Sequence, residues 1–177
     1  AEPYRHDDLD WIVTVPNMDP HIKPFEMIWE SGEEAIVRTG FEAVLRKRLD
    51  LPMPESVSWE TDTIEKLEAF AFDPPRDPRR YFEGGDNQIA GVGDGFARNV
   101  PAWLDTVKAV RKNFAVYGSM IEASECLTRL IGQRNTLMWI GEYPERLGKQ
   151  IQRIGAFYVE CLEAEIEAAK GLLDGDR

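Results

Sequence analysis

Apolar positions in the first third of the chain occur in short runs that polar and turn-forming residues separate. Residues 11–15, Trp-Ile-Val-Thr-Val, are an apolar, β-branched run and predict a buried strand. Three more runs within residues 25–49 are compatible with strands, and Gly32 and Gly40 stand in their short connections, where a tight hairpin needs a positive φ. The pattern therefore predicts a three-stranded antiparallel meander over residues 25–49.

A short helix and a long polar segment are expected next. Asp62 or Thr63 should begin the helix, with Ile64 and Leu67 on its apolar face, and two consecutive prolines should end it. The polar, glycine-rich stretch 84–99 has no clear period. Because loops of this length inside a compact domain are usually functional or mobile, this stretch is a candidate for either.

Beyond Pro101 the hydrophobic pattern becomes regular. A helix is expected first, followed by the apolar run 114–117, which stops at a Gly-Ser pair as a parallel strand does before a loop. Residues 121–131 should form the next helix, which Gly132 ends, and a further short helical piece follows it.

The longest periodic stretch begins at Pro144 and should end near Gly171. Its apolar residues recur every three or four positions and so share one helix face: Leu147, Ile151, Ile154, Tyr158, Leu162, Ile166 and Ala169. Leu172 and Leu173 then begin another strand. Helices alternating with strands are typical of βα units, so residues 101–177 predict an α/β fold.

Composition narrows the classes of protein that fit this pattern. The chain has 177 residues, with 32 acidic against 21 basic residues and a net charge of -11. Nucleic acids and anionic membranes are recognised by clustered Lys and Arg, so neither is an expected partner. No apolar run approaches the ~20 residues that span a bilayer. Cys126 and Cys161 are expected to be buried thiols of a cytoplasmic protein, with one disulfide bridge as the alternative.

The strongest candidate for chemistry is the end of the strand predicted at 114–117. Tyr117, Ser119 and Glu122 lie at or just beyond this end, where the residues of a parallel α/β barrel face the ligand. Two structural alternatives remain open. Ser119 could cap the following helix, and Glu122 could be a solvated carboxylate in its first turn, where the helix dipole favours it.

The long polar segment supplies a second candidate. Asp86 and Asn87 could belong to a loop that folds over the mouth of a pocket, or to a solvated turn. The glycine-rich residues 91–95 do not match a dinucleotide fingerprint, because Phe96 occupies the third glycine position. His6 and His21 have no neighbour at metal-ligand spacing, so metal ligation is disfavoured.

Four stretches carry a resemblance to a known family. They are DWIVTVPNMD at 10–19, GGDNQIAGVGDGFAR at 84–98, VYGSMIE at 116–122 and AAKGLLDG at 168–175. Together they resemble the uroporphyrinogen-decarboxylase-like proteins. The resemblance implies that residues 1–177 are the middle part of a (β/α)8 TIM-type barrel, with the meander as an insertion and the site at the carboxyl ends of the strands.

The resemblance also implies an activity. The family includes cofactor-free decarboxylases of a porphyrin precursor, which bind substrate carboxylates through arginines, and zinc-thiolate methyltransferases that exchange methyl groups with corrinoids. Methyl transfer is the preferred expectation, with a corrinoid protein as a further partner and a homo-oligomer as the assembly. The alternative is a non-catalytic binding or assembly module on the same scaffold.

The resemblance also implies that residues of this chain bind a small-molecule substrate. The residues expected to hydrogen-bond the substrate or close the pocket are Tyr117, Ser119, Glu122, Asp86 and Asn87. The zinc ligands of the methyltransferases, a His-x-Cys pair and a later Cys, have no counterpart in these residues. Zinc and corrinoid are therefore expected only for a longer protein.

Overall fold

A computed structural model of the chain describes residues 10–48, 50–51, 53–86, 88–89, 96–97 and 99–176. It shows a mixed α/β fold, as the sequence predicts. The strands are β1 (Trp11–Val13), β2 (Glu26–Glu30), β3 (Glu34–Arg38), β4 (Ala43–Arg48), β5 (Glu55–Trp59), β6 (Gln88–Ile89), β7 (Phe96–Ala97), β8 (Ala115–Gly118) and β9 (Gly175–Asp176). The helices are α1 (Ile64–Ala69), α2 (Arg79–Phe82), α3 (Trp103–Val110), α4 (Ala123–Glu142) and α5 (Pro144–Ala169).

A three-stranded parallel sheet of order β1-β8-β9 forms the centre of the α/β part. Ile12 and Val116 are paired neighbours on its buried face, where they pack with residues of α3 and α5. On the opposite face, the side chains of Trp11 and Val13 are 36% and 37% exposed. The prediction of a buried strand is therefore right for one face of β1 and wrong for the other.

The structure confirms a parallel sheet with helices packed on it, but it does not confirm the predicted TIM-type barrel. The described residues form three separate sheets and no closed barrel. They include no helix with the length and apolar character needed to cross a membrane.

The meander has four strands, not three, in the order β2-β3-β4-β5. The fourth strand, β5, pairs antiparallel with β4 and brings Trp59 opposite Ala43. Most of its side chains are exposed, so it carries no apolar run that could reveal it in the sequence. Trp59 at its end packs against the main core cluster and ties the meander to the helices.

Two helix boundaries follow from local chemistry. Thr63 is the N-cap of α1, and its hydroxyl accepts a hydrogen bond from the Lys66 backbone N–H at 3.3 Å, as predicted. Helix α4 is broken at Gly132, which has a φ of 80° and a ψ of 154°. The sequence places this break at the right residue, although α4 begins at Ala123, two residues after the predicted start.

Helix α5 begins at Pro144 as predicted, and Leu147, Ile154, Tyr158 and Ala169 of the predicted face are buried, but the two faces do not coincide fully. Ile151 and Ile166 are 39% and 50% exposed, whereas Gln150 and Phe157 are buried. The main core cluster joins α4 and α5 through Leu127, Leu130, Ile131, Trp139, Leu147, Ile154, Phe157, Tyr158 and Cys161.

Candidate ligand-binding cleft

A cleft of about 240 Å³ lies at the carboxyl end of β1. It is lined by residues 12–17, by Arg80, Glu83 and Gly84, and by Val100, Pro101, Trp103 and Thr106. The carboxyl edge of a parallel sheet is where α/β proteins bind ligands, because successive strands end there in loops that approach one another. The cleft therefore has the position of a binding site.

The wall nearest the sheet is held rigidly by hydrogen bonds to Thr14. The indole Nε1 of Trp103 donates to the Thr14 hydroxyl at 3.2 Å, and the Thr14 backbone N–H donates to the carbonyl oxygen of Tyr117 at 2.8 Å. These bonds connect β1, α3 and β8 at one point. Because Thr14 and Trp103 are both buried, water competes little with these contacts.

Arg80 is the one cationic side chain among the described residues that line the cleft, and its guanidinium is fully hydrogen-bonded within the protein. A guanidinium has five N–H donors. Here all five are used at N···O distances from 2.7 to 3.5 Å by backbone carbonyl oxygens of Pro74, Asn17, Asp19, Pro20 and Asp73. Arg80 is 1% exposed. It therefore organises the loops around the cleft and has no N–H left for a bound anion.

The polar groups offered to a ligand come from Asn17 and Glu83. The Asn17 side-chain oxygen accepts the Asp19 backbone N–H at 3.0 Å, which orients the amide. Among the described residues, none accepts a hydrogen bond from the Asn17 Nδ2 group. Glu83 contributes an exposed carboxylate at the rim. Among the described lining residues, apolar side chains thus stand beside the Asn17 amide, the Glu83 carboxylate and the Thr106 hydroxyl.

Two residues predicted for the site, Tyr117 and Ser119, lie at the carboxyl end of β8 but do not line the cleft. The ring of Tyr117 meets Trp11 edge-on at 6.1 Å, on the uncovered face of the sheet. Ser119 is half-buried and does not cap α4, whose N-cap is Glu122. Only the backbone of Tyr117 reaches the cleft, through Thr14.

Two of the other three predicted residues, Glu122 and Asp86, do not line the cleft either. Glu122 is exposed and precedes α4 instead of standing in its first turn. Asp86 accepts the Asn99 backbone N–H at 2.6 Å, and its carbonyl accepts the N–H of Phe25 at 2.7 Å, so it closes the base of the polar loop. Asn87 lies outside the described residues, as does the glycine-rich stretch 91–95.

Sequence reasoning missed the residues that form the cleft. Thr14 and Asn17 lie beyond the end of β1 as Ser119 lies beyond the end of β8, so the rule applied to β8 would have found them at β1. Glu83 and Thr106 carried no such signal. Their placement depends on α2 and α3 packing beside β1, which is a long-range contact.

Asp19, two residues beyond Asn17, has an unusual electrostatic environment. Burial raises the pKa of its carboxyl to about 6, although Arg129, Arg80 and the Gly40 backbone N–H all favour the ionised form. A group whose pKa is higher in the folded than in the unfolded chain stabilises the fold at low pH. This stabilisation is lost as the pH rises from about 4 to about 6.

We expect Asp19→Asn to match the wild type near pH 4 and to be more stable at pH 7. A shift from 3.8 to about 6 corresponds to at most about 3 kcal/mol, so a gain of about 1–3 kcal/mol is expected. Urea unfolding at both pH values measures it. Asp77→Asn is the matched control, because Arg79 lowers the pKa of Asp77 and the variant should lose stability at pH 7. An Asp19→Asn protein less stable than wild type at pH 7 would contradict the assignment.

The zinc-thiolate site that the family resemblance implies does not fit the cysteines of this chain. Burial raises the pKa of Cys126 to about 12 and that of Cys161 to about 11, whereas a zinc ligand is a thiolate. Both thiols are unbridged. The described residues contain no group of three His, Cys, Asp or Glu side chains placed to hold a metal ion.

Fold and cleft together define a mixed α/β protein with a ligand-sized cleft at the carboxyl edge of a parallel sheet. No protein-family model, curated protein or solved structure matches the chain.

Proposed function

We propose that this chain supplies the substrate-binding part of a uroporphyrinogen-decarboxylase-like methyltransferase, with a small methylated substrate held in the cleft at the carboxyl end of β1. The observation that carries the proposal is the lining of this cleft. Among the described residues that line it, most have apolar side chains, and the cationic one, Arg80, has every N–H donor bonded to a carbonyl oxygen. Such a cleft suits an uncharged ligand.

The same lining favours methyl transfer over decarboxylation of a porphyrin precursor. A substrate with several carboxylates needs free Arg or Lys side chains, because a buried carboxylate without a charged partner is strongly disfavoured. A volume of about 240 Å³ also suits a molecule smaller than a porphyrin. The role assigned to this chain is binding and orientation of the substrate, and no step of the transfer itself.

The sheet supports the barrel part of the proposal. Helices α3 and α5 cover one face, while Trp11, Val13 and Val15 are more than a third exposed on the other side of β1. In a TIM-type barrel, helices cover only the outer face and apolar side chains fill the interior. We therefore take β1, β8 and β9 as neighbouring strands of such a barrel.

The alternative proposal, a binding or assembly module without catalysis, rests on the same uncovered face. Apolar side chains on one side of a parallel sheet are normally buried against another layer. A protein that associates through this face, and whose cleft binds no small molecule, would have this function.

A binding experiment on matched variants tests the cleft. Methoxybenzene is a suitable neutral methylated probe, and uroporphyrin is the polycarboxylate probe. We expect NMR titration to detect binding of methoxybenzene only. Thr106→Phe, which fills the cleft from α3, should weaken this binding at least tenfold, whereas Lys108→Phe on the exposed side of α3 should not.

Three results would overturn the proposal. Uroporphyrin binding that Thr106→Phe abolishes would favour decarboxylation. Equal effects of the two phenylalanine variants would place the ligand elsewhere. Binding of neither probe by a protein that sediments as an oligomer would favour the assembly module.

A further inference from the structure

Helix α5 carries a second apolar face besides the one that packs in the core. Its residues recur at spacings of three, four, four, three and four, so they share one side of the helix: Gly148, Ile151, Gly155, Val159, Leu162 and Ile166. We call this face the outer stripe. Ile151, Val159 and Ile166 are 39%, 52% and 50% exposed. A Cβ added at Gly148 or Gly155 would have no neighbouring atom within 4 Å.

The outer stripe has the pattern of a helix–helix contact. Alternating spacings of three and four belong to the residues through which one helix packs along the length of another. From Gly148 to Ile166 the stripe is about 27 Å long. A surface helix normally has polar residues on the side that faces away from the core. An exposed apolar stripe of this length is therefore suited to a further helix.

A second copy of α5 fits the outer stripe when it runs in the opposite direction. A two-fold axis at position 157 places Val159 of one copy opposite Gly155 of the other, and Ile166 opposite Gly148. Each glycine lacks a side chain where the β-branched side chain of the other copy would enter, so large and small residues alternate across the contact. Because the arrangement is symmetric, each of these contacts occurs twice.

The charges at the two ends of α5 favour the same arrangement. Glu145 lies in the first turn and Lys170 is the C-cap, and the helical period places both beside the same edge of the outer stripe. Both residues are exposed, and neither has an ion pair within the described part of the chain.

These two charges can meet only between copies. Glu145 and Lys170 are about 37 Å apart along the axis of one helix. In the antiparallel pair each Glu145 faces a Lys170 of the other copy. In a parallel pair, by contrast, Glu145 would face Glu145 and Lys170 would face Lys170, and such like-charge contacts disfavour that orientation.

We infer that the outer stripe is an interface between two copies of this chain, which pair through α5 in antiparallel orientation about a two-fold axis near position 157. This interface lies on a different element from the uncovered face of the parallel sheet. Helix α5 contributes none of the described residues that line the cleft. The inference therefore does not rest on the proposed function and is tested separately from it.

Sedimentation velocity of matched variants tests the apolar part of the interface. Between about 1 µM and about 100 µM the wild type should shift from monomer towards dimer. Val159→Lys puts a charge at the centre of the outer stripe and should raise the dissociation constant of the dimer at least about tenfold. Glu160→Lys is the matched control, because Glu160 is the next residue, is exposed and lies outside the stripe. Its dissociation constant should stay within about twofold of the wild type.

Reversal of the end charges tests the orientation. Glu145→Lys and Lys170→Glu should each raise the dissociation constant at least about threefold, because each replaces two attractive contacts by two repulsive ones. The double variant Glu145→Lys/Lys170→Glu restores opposite charges across the interface and should return to within about twofold of the wild type. Contacts within one copy could not produce this recovery.

Three results would overturn the inference. A wild type that is monomeric at every concentration has no such interface. Equal effects of Val159→Lys and Glu160→Lys would place the contact elsewhere, as would a dimer that Val13→Lys on the uncovered face of the sheet dissociates and Val159→Lys does not. A double variant that dimerises as weakly as the single reversals would refute the antiparallel pairing.

Discussion

Arg80→Met is expected to destabilise the protein by about 3–5 kcal/mol, which is a large part of the 5–15 kcal/mol that stabilises a typical domain. Methionine fills a similar volume but donates no hydrogen bond. Five carbonyl oxygens in the loops around the cleft would lose the Arg80 donor. Those of Pro20 and Pro74 keep a backbone N–H, from Asp73 and Asp77, but those of Asn17, Asp19 and Asp73 lose the partner that Arg80 provides, and a buried polar group without a partner is costly. For a chain of this size the unfolding midpoint should fall by roughly 6–20 °C.

Arg79→Met is the matched control for this prediction. Arg79 is the neighbouring residue of α2, but its side chain is 43% exposed and pairs with Asp77 at 2.8 Å. Exposed ion pairs contribute about 0–1 kcal/mol, so this variant should unfold close to the wild type. Thermal and urea unfolding of the two variants measure the difference. Equal stability of Arg80→Met and Arg79→Met would refute the proposal that the Arg80 hydrogen bonds hold the loops around the cleft together.

Gly132→Ala is the second substitution with a large expected cost, about 3–5 kcal/mol. The φ of 80° and ψ of 154° at this residue lie in a region that essentially only glycine adopts, at a cost of roughly 1–3 kcal/mol for other residues. An added Cβ would also lie 2.5–2.8 Å from three atoms of the Trp59 indole. Trp59 ends β5 and packs in the core, so relieving this overlap would disturb the contact between meander and helices.

Gly155→Ala tests the same chemical change without strain or overlap. Gly155 lies inside α5 with a helical backbone and open space where its Cβ would be. Alanine should stabilise this helix by about 0.5–1 kcal/mol, because it loses less backbone entropy on folding. Circular dichroism during urea unfolding gives both values. A Gly132→Ala protein as stable as the Gly155→Ala protein would show that the helix break can be repaired at little cost.

The break at Gly132 shows how far local sequence could lead. A glycine within an otherwise helical pattern predicted the interruption of α4, and Pro144 predicted the start of α5. Trp59, whose indole occupies the space that a Cβ at Gly132 would need, lies in a strand that the sequence did not reveal. Local signals therefore predicted the position of the break but not this tertiary contact.

For the site as well, the sequence predicted the local structure but not the long-range packing. The strand predicted at 114–117 was expected to be parallel, and the observed strand β8, Ala115–Gly118, pairs with β1 in that direction. The residues after it were expected to form the site, yet the cleft lies beside the other strand, at Thr14 and Asn17. Which strand end has a cleft depends on where α2 and α3 pack, and this is not encoded within either strand.

Hydrophobic periodicity, helix caps and glycine or proline positions are local properties, so the sequence alone determined most of the helices and strands, the α/β class and the break at Gly132. Tertiary structure decided the fourth strand of the meander, the burial of Gln150 and Phe157 on α5 and the five hydrogen bonds of Arg80. It also decided the contacts of the His21 ring with Glu42 and Ala71. These features join residues far apart in the chain, such as His21 with Ala71 and Arg80 with Asn17. Only the packed fold brings their atoms within hydrogen-bonding distance.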